Sequence, residues 1–216
     1  MSLSRRDIEG IALRLLFWLP VLFMLGWLYG RQYANIWLPV YRGMLDWALS
    51  DFRVLTLDIG FMHELVFKTQ VIAERIMVVE GQVLPSGFTV NASTPMYIAV
   101  VHPIILAVVA LIWPGLNWSG RIVRLLVSLP CLLLLELLDV PLVLASSIND
   151  LLSYSINPTE DQASLLVDWV HVMDGGGRFA LSFAAAIMAA VIHQRLTKWG
   201  APPESLSFSG NKTDVR

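Results

Sequence analysis

Charge and cysteine are what this sequence has least of. Only 15% of its 216 residues are Asp, Glu, Lys or Arg, against about a quarter in ordinary soluble domains. A net charge of −2 leaves no basic footprint for nucleic acid. The single cysteine, Cys131, excludes an intramolecular disulfide framework and a cysteine-built metal site. His63 and His171 have no second His or Cys at ligand spacing, so no metal is expected. GxxxxGK[ST], HExxH, GxSxG and GxGxxG are all missing. Phosphate cradling, zinc hydrolysis, serine chemistry and a dinucleotide cofactor therefore have no motif behind them.

What is present is apolar. Hydrophobic residues make up 56% of the chain, the mean hydropathy is +0.64, and there are eight tryptophans. Amphipathic indole rings suit the boundary between membrane and water. Crossing about 30 Å of hydrocarbon takes about 20 apolar residues at about 1.5 Å each. Four runs qualify: Ile11 to Tyr29, Met96 to Trp113, Ile122 to Ala145, and Phe179 to Ile192 extended by Gly177, Arg178 and His193. Lipid cannot satisfy backbone groups, so these are expected to be helices, which tolerate Pro20, Pro103, Pro130 and Pro141 as kinks. The first run reads as a retained anchor rather than a cleaved leader. Its core is longer than an h-region, and Gly30-Arg31-Gln32-Tyr33 offers no small-residue cleavage site.

Lys and Arg placement sets the orientation. Arg5 and Arg6 precede the first run, Arg121 and Arg124 follow the short link 114–120, and Arg195 and Lys198 follow the fourth run. The third-to-fourth connection carries Asp150, Glu160, Asp161, Asp168 and Asp174, with no Lys or Arg before Arg178. Both termini are therefore expected in the cytoplasm. The expected organisation is a cytoplasmic start and first transmembrane helix over 1–30, then an amphipathic helix lying in the interface over 31–50, broken at Pro39. A β-rich extracytoplasmic segment follows over 51–94. Helices two and three occupy 95–145, an outer loop with short helices 146–177, the fourth helix 178–199, and a disordered cytoplasmic tail 200–216. The fold class is a membrane α-helical bundle of about four transmembrane helices, with a small β-rich extracytoplasmic insertion and an amphipathic interface helix. Within the insertion, the runs Arg53–Ile59, Glu64–Ile72, Arg75–Leu84 and Phe88–Val90 have strand patterning, and Pro85-Ser86-Gly87 reads as a hairpin turn. So small a sheet is marginal alone, so it is expected to rest on the interface helix or on a partner.

Ionisable groups inside a span are functional hypotheses by default. Glu136 and Asp139 lie three apart on the third helix. His102 on the second and Asp139 share a depth of about 10 Å, which allows them to pair, with Arg178 as a further partner. A polar clamp holding the bundle competes with a binding or catalytic site. Cys131 sits at a different depth and reads as an inert buried thiol. Small residues four apart permit close helix packing: Gly26 with Gly30, and Ser182, Ala186 and Ala190. Packing within the bundle is the first reading of these, and a homo-oligomer interface the alternative.

The order of elements resembles that of small bacterial inner-membrane proteins associated with exosortases. The matching strings are Arg14-Leu15-Leu16-Phe17-Trp18-Leu19-Pro20, then Val90-Asn91-Ala92 closing the β segment, then Tyr97, and Leu125 to Pro130 with the late acidic Asp139. The resemblance covers most of 10–196 as layout and departs at Pro95–Pro103 and over 146–177. It implies an inner-membrane location and an accessory role beside a membrane-embedded sorting protease–transpeptidase. The residues themselves point to a non-catalytic membrane accessory or assembly subunit, in contact with lipid and with another integral membrane or periplasmic protein. The alternative is an intramembrane enzyme or small transporter-like protein centred on His102, Glu136, Asp139 and Arg178.

Overall fold

The structure, a computed structural model, describes residues 5–79, 82–156 and 165–199. The first element, α1, is one helix over Arg5–Ala48. At 44 residues it is about 66 Å long, enough to cross a bilayer and continue beyond. The separate interface helix expected over 31–50, broken at Pro39, is thus corrected. Both Pro20 and Pro39 lie inside α1. Pro39 is exposed, so its ring strikes no packed neighbour, and the burial of Ala34, Tyr41, Leu45 and Leu49 holds the helix together on either side of the missing amide. These four follow helical spacing down one stripe.

That stripe carries the sheet. Strands β1 (Phe52–Phe61), β2 (Leu65–Ala73) and β5 (Thr89–Pro95) form an antiparallel sheet in the order β1-β2-β5, while β3 (Met77–Val79) and β4 (Gln82–Leu84) pair separately. The run Arg75–Leu84 therefore holds two short strands paired with each other rather than one strand. Pro85-Ser86-Gly87 does turn, with Gly87 at φ 90°, a left-handed value that glycine adopts without strain. It joins β4 to β5, which do not pair; β5 returns to β2, and the Gly87 amide donates to the Ala73 carbonyl at 2.9 Å. A bulge at Leu55 puts Val54 and Leu57 on the same face. They join Phe67, Val71, Val90 and Ala92 against Tyr41 and Leu45 of α1, Leu49 just after it, and Leu144, Ile148 and Leu152. The chain's own helices thus supply the support the sheet needs. Arg42 and Asp46 of α1 clasp one residue of β1: Arg42 Nη2 donates to the Val54 carbonyl and the Val54 amide to Asp46 Oδ1, both at 3.0 Å.

Helix α2 spans Tyr97–Ile112 and packs against α1, α3 (Trp118–Leu138) and α6 (Arg178–Trp199). The third apolar run is not one helix. It stops at Asp139, where φ −97° and ψ −84° leave the helical region, and restarts as α4 over Val140–Ile156. Pro141 explains the break: it has no amide to give Leu137, and it suits a first turn, where none is needed. Helix α5 (Leu165–Val172) leads through a kinked segment, Met173–Gly177, into α6. The Gly175–Gly177 joint is thus a helical irregularity, in which Gly176 takes φ 109°. By length and composition, the stretches Asp7–Ala48, Trp118–Leu152 and Leu165–Thr197 can each cross a membrane. At 16 residues, α2 reaches about 24 Å and falls short alone. The tail expected over 200–216 lies outside the described residues.

Candidate functional site: a buried polar layer between bundle and sheet

The sheet end of the bundle holds two adjoining polar groups. In the first, Asp139 at the α3–α4 break takes donors from two helices. Arg178 Nε donates to both carboxylate oxygens at 3.0 and 2.9 Å, and His102 Nε2 lies 2.9 Å from Oδ2. The other ring nitrogen of His102 is 2.7 Å from Ser182 Oγ. The Ser182 hydroxyl in turn donates to the Arg178 carbonyl at 2.7 Å, so its one proton is directed along α6. Arg178 Nη1 also donates to Asp174 at 2.5 Å. His102, Asp139 and Ser182 are fully buried and Arg178 nearly so. Three helices thereby meet at one carboxylate.

In the second group, Glu136 turns away from His102 toward α1. The Tyr33 hydroxyl donates to Oε1 at 2.7 Å and the Tyr41 hydroxyl donates to Oε2. Tyr33, Trp37 and Tyr41 stand four apart, with Trp37 and Tyr41 stacked at 6.2 Å. Tyr41 meets Phe67 of β2 edge-on at 5.5 Å, so the layer is also the floor beneath the sheet. Sharing a helix face with Asp139 does not give Glu136 a shared partner, because Asp139 has already left the helix.

Of the residues singled out in the sequence, His102, Asp139 and Arg178 are brought together, and Glu136 lies beside them with partners of its own. Ser182, counted there only as a small packing residue, is a hydrogen-bonding member of the layer. Tyr33 and Tyr41 are not legible in the sequence as partners of Glu136; their i, i+8 spacing becomes visible only once the helix is read through Pro39. Asp174, in the sequence one acidic residue of the outer connection, and Trp169 also join the layer. Trp169 Nε1 donates to the Leu138 carbonyl at 2.8 Å, a group freed by the end of α3.

The small residues pack inside the chain. A Cβ on Gly26 or Gly30 would meet Val100 of α2 at 2.9 or 3.2 Å, and Ala186 and Ala190 are buried on α6, which packs on α2 and α3. Cys131 is a free thiol among Leu106, Leu132, Leu135, Ala185 and Ala186. His63 and His171 are exposed. Among the described residues, no three of His, Cys, Asp or Glu are grouped to hold a metal.

Fold and site together define a helix-rich bundle that carries a small antiparallel sheet on an extended first helix, with a closed His–Asp–Arg layer at the junction. No family model matches the chain, and neither a curated protein nor a solved structure does.

Proposed function

We propose that this chain is a non-catalytic integral membrane accessory or assembly subunit that holds its β unit outside the bilayer for another membrane or periplasmic protein. The observation that carries this reading is the closure of the Asp139 layer. Both carboxylate oxygens and both His102 ring nitrogens are engaged by the chain's own groups, so none is offered to a substrate. A layer of this kind fixes the angle between bundle and sheet. The hairpin tip then presents Phe61 and Met62, both exposed, to a partner. The basic residues Arg5, Arg121, Arg124 and Arg195 all belong to the end away from the sheet, which supports cytoplasmic termini. The layout resemblance supports a bacterial inner-membrane setting beside an exosortase-type machine.

Purification in mild detergent, with mass spectrometry of whatever co-purifies, tests the proposal. A stoichiometric membrane or periplasmic protein is the expected result, and its identity decides the exosortase association. A monodisperse, partnerless protein overturns the accessory reading.

One observation favours the second reading, an intramembrane enzyme or small transporter-like protein. Arg178 Nη2 is buried without a hydrogen-bond partner, directly after the kink at Gly176. Asp139→Asn separates the two. Normal abundance with lost biological activity supports chemistry, whereas loss of the protein itself supports a structural layer.

A further inference from the structure

The opposite end of the bundle carries a cluster of cations. Helix α2 runs away from the sheet to Trp113, α3 returns from Trp118, and α6 descends to the same level. Arg124 of α3 is 2% exposed, and its guanidinium lies 4.6 Å over the Trp113 ring. Its Nε and Nη1 are buried with no hydrogen-bond partner, as is Nδ1 of His193 on α6, itself 4% exposed. Arg124 and His193 interact electrostatically where α3 packs on α6. One turn earlier, Arg121 donates to the Leu116 carbonyl at 3.3 Å and lies 5.4 Å over Trp118. It also faces the like charge of Arg14 on α1. Among the described residues, none of the three arginines is ion-paired with a carboxylate; Glu9, at the same end, is engaged by Arg5 at 3.0 Å.

Burying guanidinium donors unpaired is costly, and like charges brought together add to the cost. An anion relieves both. Arg14 also sits beside an open apolar surface of α1 formed by Leu13, Leu16, Phe17 and Trp18, and Trp18 meets Trp118 edge-on at 6.1 Å. Cations, indoles and an apolar surface therefore occur together at one end of the spans, the level of lipid headgroups.

We propose that Arg14, Arg121, Arg124 and His193 form a site for the phosphate of an anionic phospholipid, with an acyl chain along the Leu13–Trp18 surface of α1. The proposal rests on the membrane reading above. Arginine suits phosphate because its planar fork donates to two oxygens at once.

The test uses the full-length protein with vesicles of phosphatidylcholine alone or mixed with phosphatidylglycerol, read by flotation and by native mass spectrometry of retained lipid. The wild-type protein is expected to float with both vesicles and to retain phosphatidylglycerol preferentially. Arg121→Gln, at the rim, is expected to lower that preference about fivefold, as is Arg14→Gln; Arg124→Gln, which is more deeply buried, is secondary. Failure to float with either vesicle overturns the membrane reading itself. Flotation with both but no preference, or a preference unchanged in Arg14→Gln and Arg121→Gln, overturns the lipid site alone. Inorganic phosphate that displaces the retained lipid and raises the unfolding temperature equally reassigns the site to free phosphate and overturns the lipid form.

Discussion

Trp169 closes the end of α3 by donating its indole N–H to the Leu138 carbonyl at 2.8 Å. Thirty-one positions separate the two residues, so this bond ties the returning α5 to the point where Pro141 interrupts the third apolar run. Trp169→Phe keeps most of the ring and removes the donor. We expect a loss of about 1–2 kcal/mol, read as a lower unfolding temperature in detergent with the oligomeric state unchanged.

Asp139 holds the larger share of the junction. Asp139→Ala strands Arg178 and His102 without their common acceptor, and removing one partner of a buried pair costs about 3–5 kcal/mol. Little folded protein is expected. Asp139→Leu combined with Arg178→Met, which removes both charges together, is expected to recover most of the abundance. A double variant no better than Asp139→Ala contradicts the clamp.

Glu136 accepts from two tyrosines that differ in burial. Tyr41 is fully buried and touches Phe67 of the sheet, whereas Tyr33 is half-buried. Tyr41→Phe is expected to destabilise by about 1–3 kcal/mol, and Tyr33→Phe by less, since water can replace the donor there. Thermal unfolding of the two variants side by side gives the order.

Two glycines make opposite predictions for the same added methyl group. A Cβ at Gly177 would lie 2.5 Å from the Val172 carbonyl oxygen, which is backbone and cannot yield. At Gly26 it would meet Val100 Cγ1 and Ile104 Cδ1 at 2.9 and 3.0 Å, both ends of side chains that can rotate. Gly177→Ala should therefore lower the unfolding temperature well beyond Gly26→Ala. Val100→Ala is expected to restore the Gly26 variant. Restoration of both, or of neither, contradicts this account.

The pairing of His102 with Asp139 was within reach of the sequence because depth along two antiparallel helices can be counted from their ends. The tyrosine partners of Glu136 were not. Proline is a strong local signal for ending a helix, and at Pro39 that signal was overridden by the stripe Ala34, Tyr41, Leu45, which buries itself against the sheet. The single strand expected over Arg75–Leu84 failed for a related reason. Its β-branched residues report an extended backbone but not the strand it pairs with.

By itself, the sequence determined the helical bundle, the strand-forming insertion and the ionisable residues placed among apolar ones, because hydropathy and periodicity are local properties of the chain. Tertiary structure decided that the first helix continues into the support for the sheet, that α3 ends at Asp139, and that one carboxylate gathers His102 and Arg178 while its neighbour Glu136 turns to Tyr33 and Tyr41. Those outcomes depend on which surfaces bury each other. A helix face, a freed carbonyl and a buried charge find their partners only when distant segments are packed together.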